Sequence, residues 1–435
     1  MGKIPEEYLP PKEFLPDKVY TLPEIHYPQK LNLAKVLLDD NIPKYADKVA
    51  VYYKDKKLTY KELQERVNRF GNALKSLGVE KNDRVMLRAP NIPEFLEANF
   101  ACWKIGAIPV MVNHLLRADE IVYRENDSEA KVFVVSSDVF EDVEKAKERF
   151  KTVKHIVVIG EEKKDCLSYE KLLKEHSSDL QPEDTSKDDL ARMIYTSGTT
   201  GKPKGALQTH ADILSSVDTY ARYILHLRET DIIGGHPFFT FAYGNLWFTV
   251  FPYRFGGGVS LTDMFTPEGM FETVEKHRIT ILACVPTSFR MMLAVKDAER
   301  KYDLSSLRLC TSAGEPLPAS TFYEWKKRFG VEILDVIGSC ELNCYIAHHE
   351  GVPENKIGST GLPVPGYECK IVDENFNEVP RGVAGELIIK GPVGVQYWRK
   401  PEKQAESIWK VGVELVACLF KMKMDISGIK VGLMT

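Results

Sequence analysis

Residues 195–205 read Tyr-Thr-Ser-Gly-Thr-Thr-Gly-Lys-Pro-Lys-Gly, and this run constrains the chain more than any other part of it. Five consecutive small hydroxyl or glycine positions, Thr196, Ser197, Gly198, Thr199 and Thr200, free the backbone to fold around an anion. Gly198, Gly201 and Gly205 allow positive φ and close approach. Amides arranged in this way point together at phosphate oxygens, and Lys202 and Lys204 add fixed positive charge. A polyphosphate is the ligand such a loop suits. The P-loop of nucleotide triphosphatases has similar ingredients but needs four residues between its glycines and a hydroxyl after its Gly-Lys. Here only two residues separate Gly198 from Gly201, and Pro203 follows Lys202. A plain surface loop rarely combines these glycines, hydroxyls and lysines directly after the apolar pair Met193-Ile194.

With 435 residues the chain is too long for one simple core, and two or three domains are expected. Its composition, 44% hydrophobic and 28% charged, is that of a globular protein. A net charge of −4 gives no electrostatic case for nucleic acid. No apolar run reaches membrane-spanning length, and the N-terminus carries no signal-peptide pattern. The eight cysteines are scattered without a zinc-like cluster, which suits free thiols in a reducing cytoplasm. His210, His348 and His349 have no spaced metal partners and read as surface or core histidines.

Strand and helix patterns alternate along the first two thirds of the chain. From Thr59, the residues Leu63, Val67, Phe70, Leu74 and Leu77 recur by four and three, a helix stripe with a Thr59/Glu62 capping box and Gly78 at its end. Strands are expected at 84–87, 108–112, 131–135 and 155–159, with helices across 94–105 and 119–125. A polar stretch over 175–189 reads as a linker, and a strand at 192–195 delivers the phosphate loop. The pattern predicts an α/β fold: two parallel-sheet and helix subdomains, at 1–175 and 190–350, then a small C-terminal β subdomain at 356–408.

Further motifs follow in order: Leu58-Thr59-Tyr60-Lys61-Glu62-Leu63, Asp83-Arg84-Val85, Lys104-Ile105-Gly106-Ala107, Ser312-Ala313-Gly314-Glu315, Gly338-Ser339-Cys340-Glu341, Gly385-Glu386-Leu387 and Tyr397-Trp398-Arg399-Lys400-Pro401-Glu402. With the phosphate loop, they resemble the adenylate-forming superfamily from about residue 10 to about 408. The N-terminal run from Pro10 to Asn32, together with Ile337-Gly338-Ser339, is similar to benzoate- and 2-aminobenzoate-CoA ligases.

The resemblance implies a two-step reaction. A carboxylate attacks the α-phosphate of ATP to give an acyl-adenylate, and the thiol of coenzyme A then takes the acyl group. It assigns Thr196 to Gly201, Lys202 and Lys204 to the phosphates, with Lys202 catalytic. Glu341 becomes the catalytic carboxylate that would hold Mg2+, an ion content with one carboxylate plus phosphate oxygens. Cys340 stands where a threonine hydroxyl is usual, and a thiol donates weakly. Ala313, Gly314, Glu315, Gly338, Ser339 and Cys340 are expected beside the nucleotide. Phe239, Phe241, Tyr243, Gly244 and Ser312 are expected around the acyl group, with Phe241 as its gate. An aromatic acid is the first expectation for the substrate, and a short or medium-chain fatty acid the second. The remaining partners are small molecules, with no nucleic acid or membrane and a homodimer as the open possibility.

Residues 409–435 follow no pattern of that superfamily. Its ribose site, hinge and lid motifs are not found there, so an aberrant tail and an absent lid are expected. Reading the codons of Lys421 to Thr435 two bases late permits D-E-D-G-Y-F-W-Y-K-G-R-A-D-D, the hinge motif, with Met422, Met424 and Met434 forcing Glu, Gly and Asp. A frameshift is the hypothesis. Coding DNA that cannot yield those residues would end it.

Overall fold

A computed structural model describes residues 4–196, 202–394, 396–411, 414–417, 420–425 and 430–432 of the chain. Two large sheets, of seven and nine strands, carry most of it. The seven-stranded sheet runs in the order Leu167–Ser168, His155–Ile159, Val132–Ser136, Arg84–Arg88, Ile108–Met111, Leu190–Thr196 and Lys204–Thr209. All its pairings are parallel except the last. The nine-stranded sheet has a parallel centre: Ile333–Ser339, Leu309–Ser312, Ile281–Cys284, Ile232–Gly235, Gly258–Leu261 and Val49–Tyr53. Antiparallel strands Asn343–Ala347 and Leu362–Pro363 extend one edge, and Lys56–Thr59 closes the other. The central strands read as unbroken apolar runs, Val132–Ser136 and Ile281–Cys284 being buried throughout, because helices cover both faces of a parallel sheet.

The helix Tyr60–Ser76 forms for the reason its sequence gives. Thr59 Oγ1 accepts from the Glu62 amide at 3.2 Å, while the Glu62 carboxylate accepts from the Thr59 amide at 2.7 Å. Leu63, Val67, Phe70 and Leu74 are fully buried on its inner face. Helices Pro93–Lys104 and Ala118–Ser128 also lie where periodicity puts them.

The subdomain boundary read from sequence, 1–175 against 190–350, does not coincide with the sheets. Strands Leu190–Thr196 and Lys204–Thr209 complete the first sheet, whereas Val49–Tyr53 and Lys56–Thr59 belong to the second. Period-two patterning marks a strand but not its partner. Long-range pairing of Val51 with Val259 and of Val110 with Met193 decides the sheet. After residue 358 the chain is β-rich, as read: Glu368–Val372 and Gly385–Lys390 pair antiparallel, and Phe420–Asp425 and Lys430–Gly432 join them. Ile408–Val411 and Glu414–Ala417 pair antiparallel as a separate two-stranded sheet. No helix among the described residues is long and apolar enough to cross a membrane.

Candidate active site

Four neighbouring parallel strands of the nine-stranded sheet, Ile232–Gly235, Ile281–Cys284, Leu309–Ser312 and Ile333–Ser339, end on the same side. The residues just past or at those ends, His236–Phe238, Val285, Ala313-Gly314, Val336 and Gly338–Cys340, enclose a cavity of about 520 Å³. Open α/β sheets bind ligands beyond the carboxyl ends of their strands. The helix Ala242–Thr249 supplies the opposite wall with Ala242, Tyr243, Leu246 and Trp247, spaced so that one helix face looks inward.

Each wall is held by polar contacts. The Asn91 side chain brackets the loop after Gly235, donating to the Pro237 carbonyl at 2.9 Å and accepting from the Phe239 amide at 3.0 Å. Tyr243 donates its hydroxyl to the Thr311 carbonyl at 2.9 Å. His236 shares a 2.6 Å hydrogen bond with Ser288 Oγ, and burial pulls its pKa down to about 4, so the ring is neutral at pH 7.

Glu341, on the nine-stranded sheet, and Lys204, on the seven-stranded sheet, both contact Tyr397. Thr196 and Lys204 are antiparallel register partners at the ends of their strands. Ser197, Gly198, Thr199, Thr200 and Gly201 lie outside the described residues. Lys202 is exposed, with Nζ 5.7 Å above the Tyr123 ring. Lys204 Nζ sits 4.3 Å above the Tyr397 ring, and the Tyr397 hydroxyl donates to Glu341 Oε1 at 2.9 Å. Lys204, Tyr397 and Glu341 thus form one line of contacts. Glu341 is 5% exposed, at the tip of the hairpin that joins Ile333–Ser339 to Asn343–Ala347. Ser339 Oγ accepts from the Glu341 and Leu342 amides at 3.3 and 3.2 Å and shapes that turn. A Cβ on Gly338 would meet the Asn343 carbonyl oxygen at 2.6 Å, so only glycine lets the two hairpin arms come this close.

These residues fit a magnesium–nucleotide complex. Tyr397 engages only one oxygen of the Glu341 carboxylate, and among the described residues no hydrogen bond occupies Oε2. Cys340 lines the cavity as a neutral thiol: burial and the adjacent Glu341 charge push its pKa up to about 12.

The acyl-side residues divide. Phe241 and Tyr243 line the cavity, and Phe241 is 48% exposed at its mouth. Phe239 does not line it: fully buried, it stacks on Phe95 with ring centroids 4.9 Å apart. Phe238, one residue earlier, lines the cavity instead, just before the chain turns at Phe239 and Thr240. Ser312 is buried at a strand end outside the lining, its hydroxyl without a partner among the described residues. Glu315 is exposed and accepts from Thr287 Oγ1 at 2.7 Å.

Gly244 also lies outside the lining, and its role is steric. A Cβ there would stand 2.2 Å from the Phe238 carbonyl oxygen and 2.4 Å from that of Pro237. Gly244→Ala is therefore expected to push the helix and the loop apart. The cost is about 1–3 kcal/mol, the usual range for overpacking, and the melting temperature measures it.

Residues not picked out from sequence complete the site. Val285, Val336, Asn343 and Cys344 come from strand ends, and Trp247 lies four residues after Tyr243 on the helix. That i, i+4 spacing was the available signal. Behind Asn343 lies Arg192, 1% exposed. Its guanidinium donates to Asn245 Oδ1 at 2.8 Å, to Asn343 Oδ1 at 2.9 Å and to Gln208 Oε1. Burial pulls its pKa down to about 10, which leaves it charged at neutral pH.

Asp335, next to Val336, is 5% exposed, and its Oδ1 has no hydrogen-bond partner among the described residues. Burial pushes its pKa up to about 8. An unfolded aspartate titrates near 3.9, so between about pH 4 and pH 8 the folded state holds the extra proton and stability falls as pH rises. Asp335→Asn removes that loss. At pH 8 the variant is expected to be more stable than the parent by at least about 2 kcal/mol, since each unit of displacement is worth about 1.4 kcal/mol. The difference closes below about pH 4, and urea unfolding at the two pH values reads it.

An α/β core with an apolar hollow at its strand ends and a carboxylate linked through Tyr397 to Lys204 suits a nucleotide-binding enzyme. Residues 38–398 match the AMP-binding enzyme family, and the chain belongs to it. It is 37% identical over 395 residues to the benzoate–CoA ligase of Thauera aromatica, covering 89% of this chain and 74% of that protein. Among solved structures it is similar to an anthranilate CoA ligase in complex with anthranoyl-AMP, at 31% identity and a TM-score of 0.86, covering 93% of this chain and 77% of that one. A benzoate CoA ligase from Burkholderia xenovorans LB400 superposes with a TM-score of 0.82 at 30% identity, covering 92% and 79%.

Proposed function

We propose that the chain is the main body of an ATP-dependent ligase that joins an aromatic, benzoate-like carboxylic acid to coenzyme A. The observation that carries this reading is the cavity of about 520 Å³, walled by Phe238, Phe241, Tyr243 and Trp247, opening beside Cys340 and Glu341. Flat aromatic walls suit a ring, and pockets of this size hold small ligands. The acid enters past Phe241 with its ring against Tyr243 and Trp247. A carboxylate oxygen then attacks the α-phosphorus of ATP, the bond to the bridging oxygen breaks, and pyrophosphate leaves. Charge spreads over phosphate oxygens in such a step, so the protein contributes position and fixed charge. Lys202, Lys204 and the loop between them and Thr196 would hold the outer phosphates. Glu341 would hold Mg2+, which neutralises phosphate charge when bound. Ser339 fixes the turn that presents Glu341, and Tyr397 fixes its rotamer. Coenzyme A thiol then attacks the acyl carbon and releases AMP.

The chain spans about three quarters of the benzoate relative's length. A cytoplasmic setting is part of the proposal. A short or medium-chain fatty acid is the alternative substrate. A thermal-shift screen of aromatic and aliphatic acids with ATP and magnesium, followed by acyl-adenylate detection, tests the proposal. Stabilisation by benzoates above aliphatic acids supports it; stabilisation by aliphatic acids alone moves the assignment to them.

A further inference from the structure

Among the described residues, none lining the cavity carries a charge at pH 7: its walls are apolar, amide, hydroxyl or thiol groups, and His236 is neutral. Yet the substrate proposed above enters as an anion, and an ion moved from water into such surroundings loses hydration worth several kcal/mol unless charge compensates. One layer behind the lining stands a buried cation. Arg192 touches the cavity wall through Asn343, at 2.9 Å. Its other partners, Asn245 and Gln208, are neutral amides as well, and among the described residues no carboxylate pairs with it. Asp212 acts on it through space but is engaged by Lys18 at 2.7 Å. A buried guanidinium held by neutral oxygens costs stability, and a charge left uncompensated in a folded core is a feature that function retains.

We propose that Arg192 is the specificity-determining charge of the acid cavity: through the Asn343 wall it favours a carboxylate over a neutral group of the same shape. The inference rests on the functional reading above. It differs from a packing role in one measurable respect, since a charge acts on the anion and leaves its neutral isostere alone. Across the few ångströms of one side chain, at the effective dielectric of protein sites, the expected preference is about tenfold or more.

The test compares the Kd of benzoate with that of benzamide, by calorimetry on the full 435-residue chain and its variants at fixed ionic strength. Arg192→Met is expected to weaken benzoate by about tenfold and leave benzamide within about twofold. Arg192→Lys keeps most of the acid preference. Arg192→Gln, which retains hydrogen-bonding capacity without charge, behaves like Arg192→Met and serves if that variant does not fold. Parallel loss of both ligands, or no change in either, overturns the proposal, as does failure of all three variants to fold. If the parent binds neither aromatic ligand, the substrate reading fails. The hexanoate and hexanamide pair then tests Arg192 on its own terms, with the same two outcomes.

Discussion

Glu341→Gln is expected to lower acid-dependent pyrophosphate release by about 10²–10³-fold, the scale of losing one fixed electrostatic group at a phosphoryl centre. The reasoning is specific to the position. Gln Oε1 can still accept from Tyr397, so the hairpin keeps its shape and the melting temperature moves by no more than about 2 °C. What disappears is the negative charge linked through Tyr397 to Lys204. The variant should therefore bind ATP in the absence of metal as the parent does, but lose affinity for Mn2+ in the presence of ATP, which a manganese titration followed by electron paramagnetic resonance reads directly. A large fall in melting temperature with unchanged manganese affinity would make Glu341 a structural residue.

The neighbouring phenylalanines give the second large effect. Phe239 stacks on Phe95 and packs edge-on against Phe248, with ring centroids 4.9 and 6.1 Å away, in the main core. Phe239→Ala is expected to cost about 3–5 kcal/mol of stability, as for other fully buried rings. Phe238 lines the cavity next to Phe241, their centroids 6.4 Å apart. Phe238→Ala should cost clearly less stability while weakening benzoate binding. Chemical denaturation and Kd measurements on the two variants separate the roles. The reverse pattern would show that Phe239 faces the substrate.

The contrast between these rings shows where sequence stops being informative. The motif from His236 to Gly244 locates the wall, but a one-residue difference reverses which ring faces in, and only the backbone path bracketed by Asn91 decides it. The local elements were legible because their signals are local. Thr59 and Glu62 cap a helix, and Leu63, Val67, Phe70 and Leu74 bury one face of it. Sheet membership was not, since Val51 finds its partner at Val259. Gly338, Ser339 and Glu341 could be picked out only through the resemblance of their motif, and the structure supplies the geometry, with Ser339 shaping the turn that carries Glu341. Arg192 could not, since a lone arginine three residues before Tyr195 looks like any strand residue until Asn245, Gln208 and Asn343 close around it.

The central claim is that the hollow at the ends of the four parallel strands receives the acyl group of an adenylate whose phosphate faces Glu341. A crystal structure with a non-hydrolysable benzoyl-adenylate analogue measures this directly. The account predicts the ring between Tyr243, Trp247 and Val336, with the phosphoryl mimic turned toward Cys340, Glu341 and Lys204. A ring bound elsewhere, with this hollow still filled only by solvent, would contradict it.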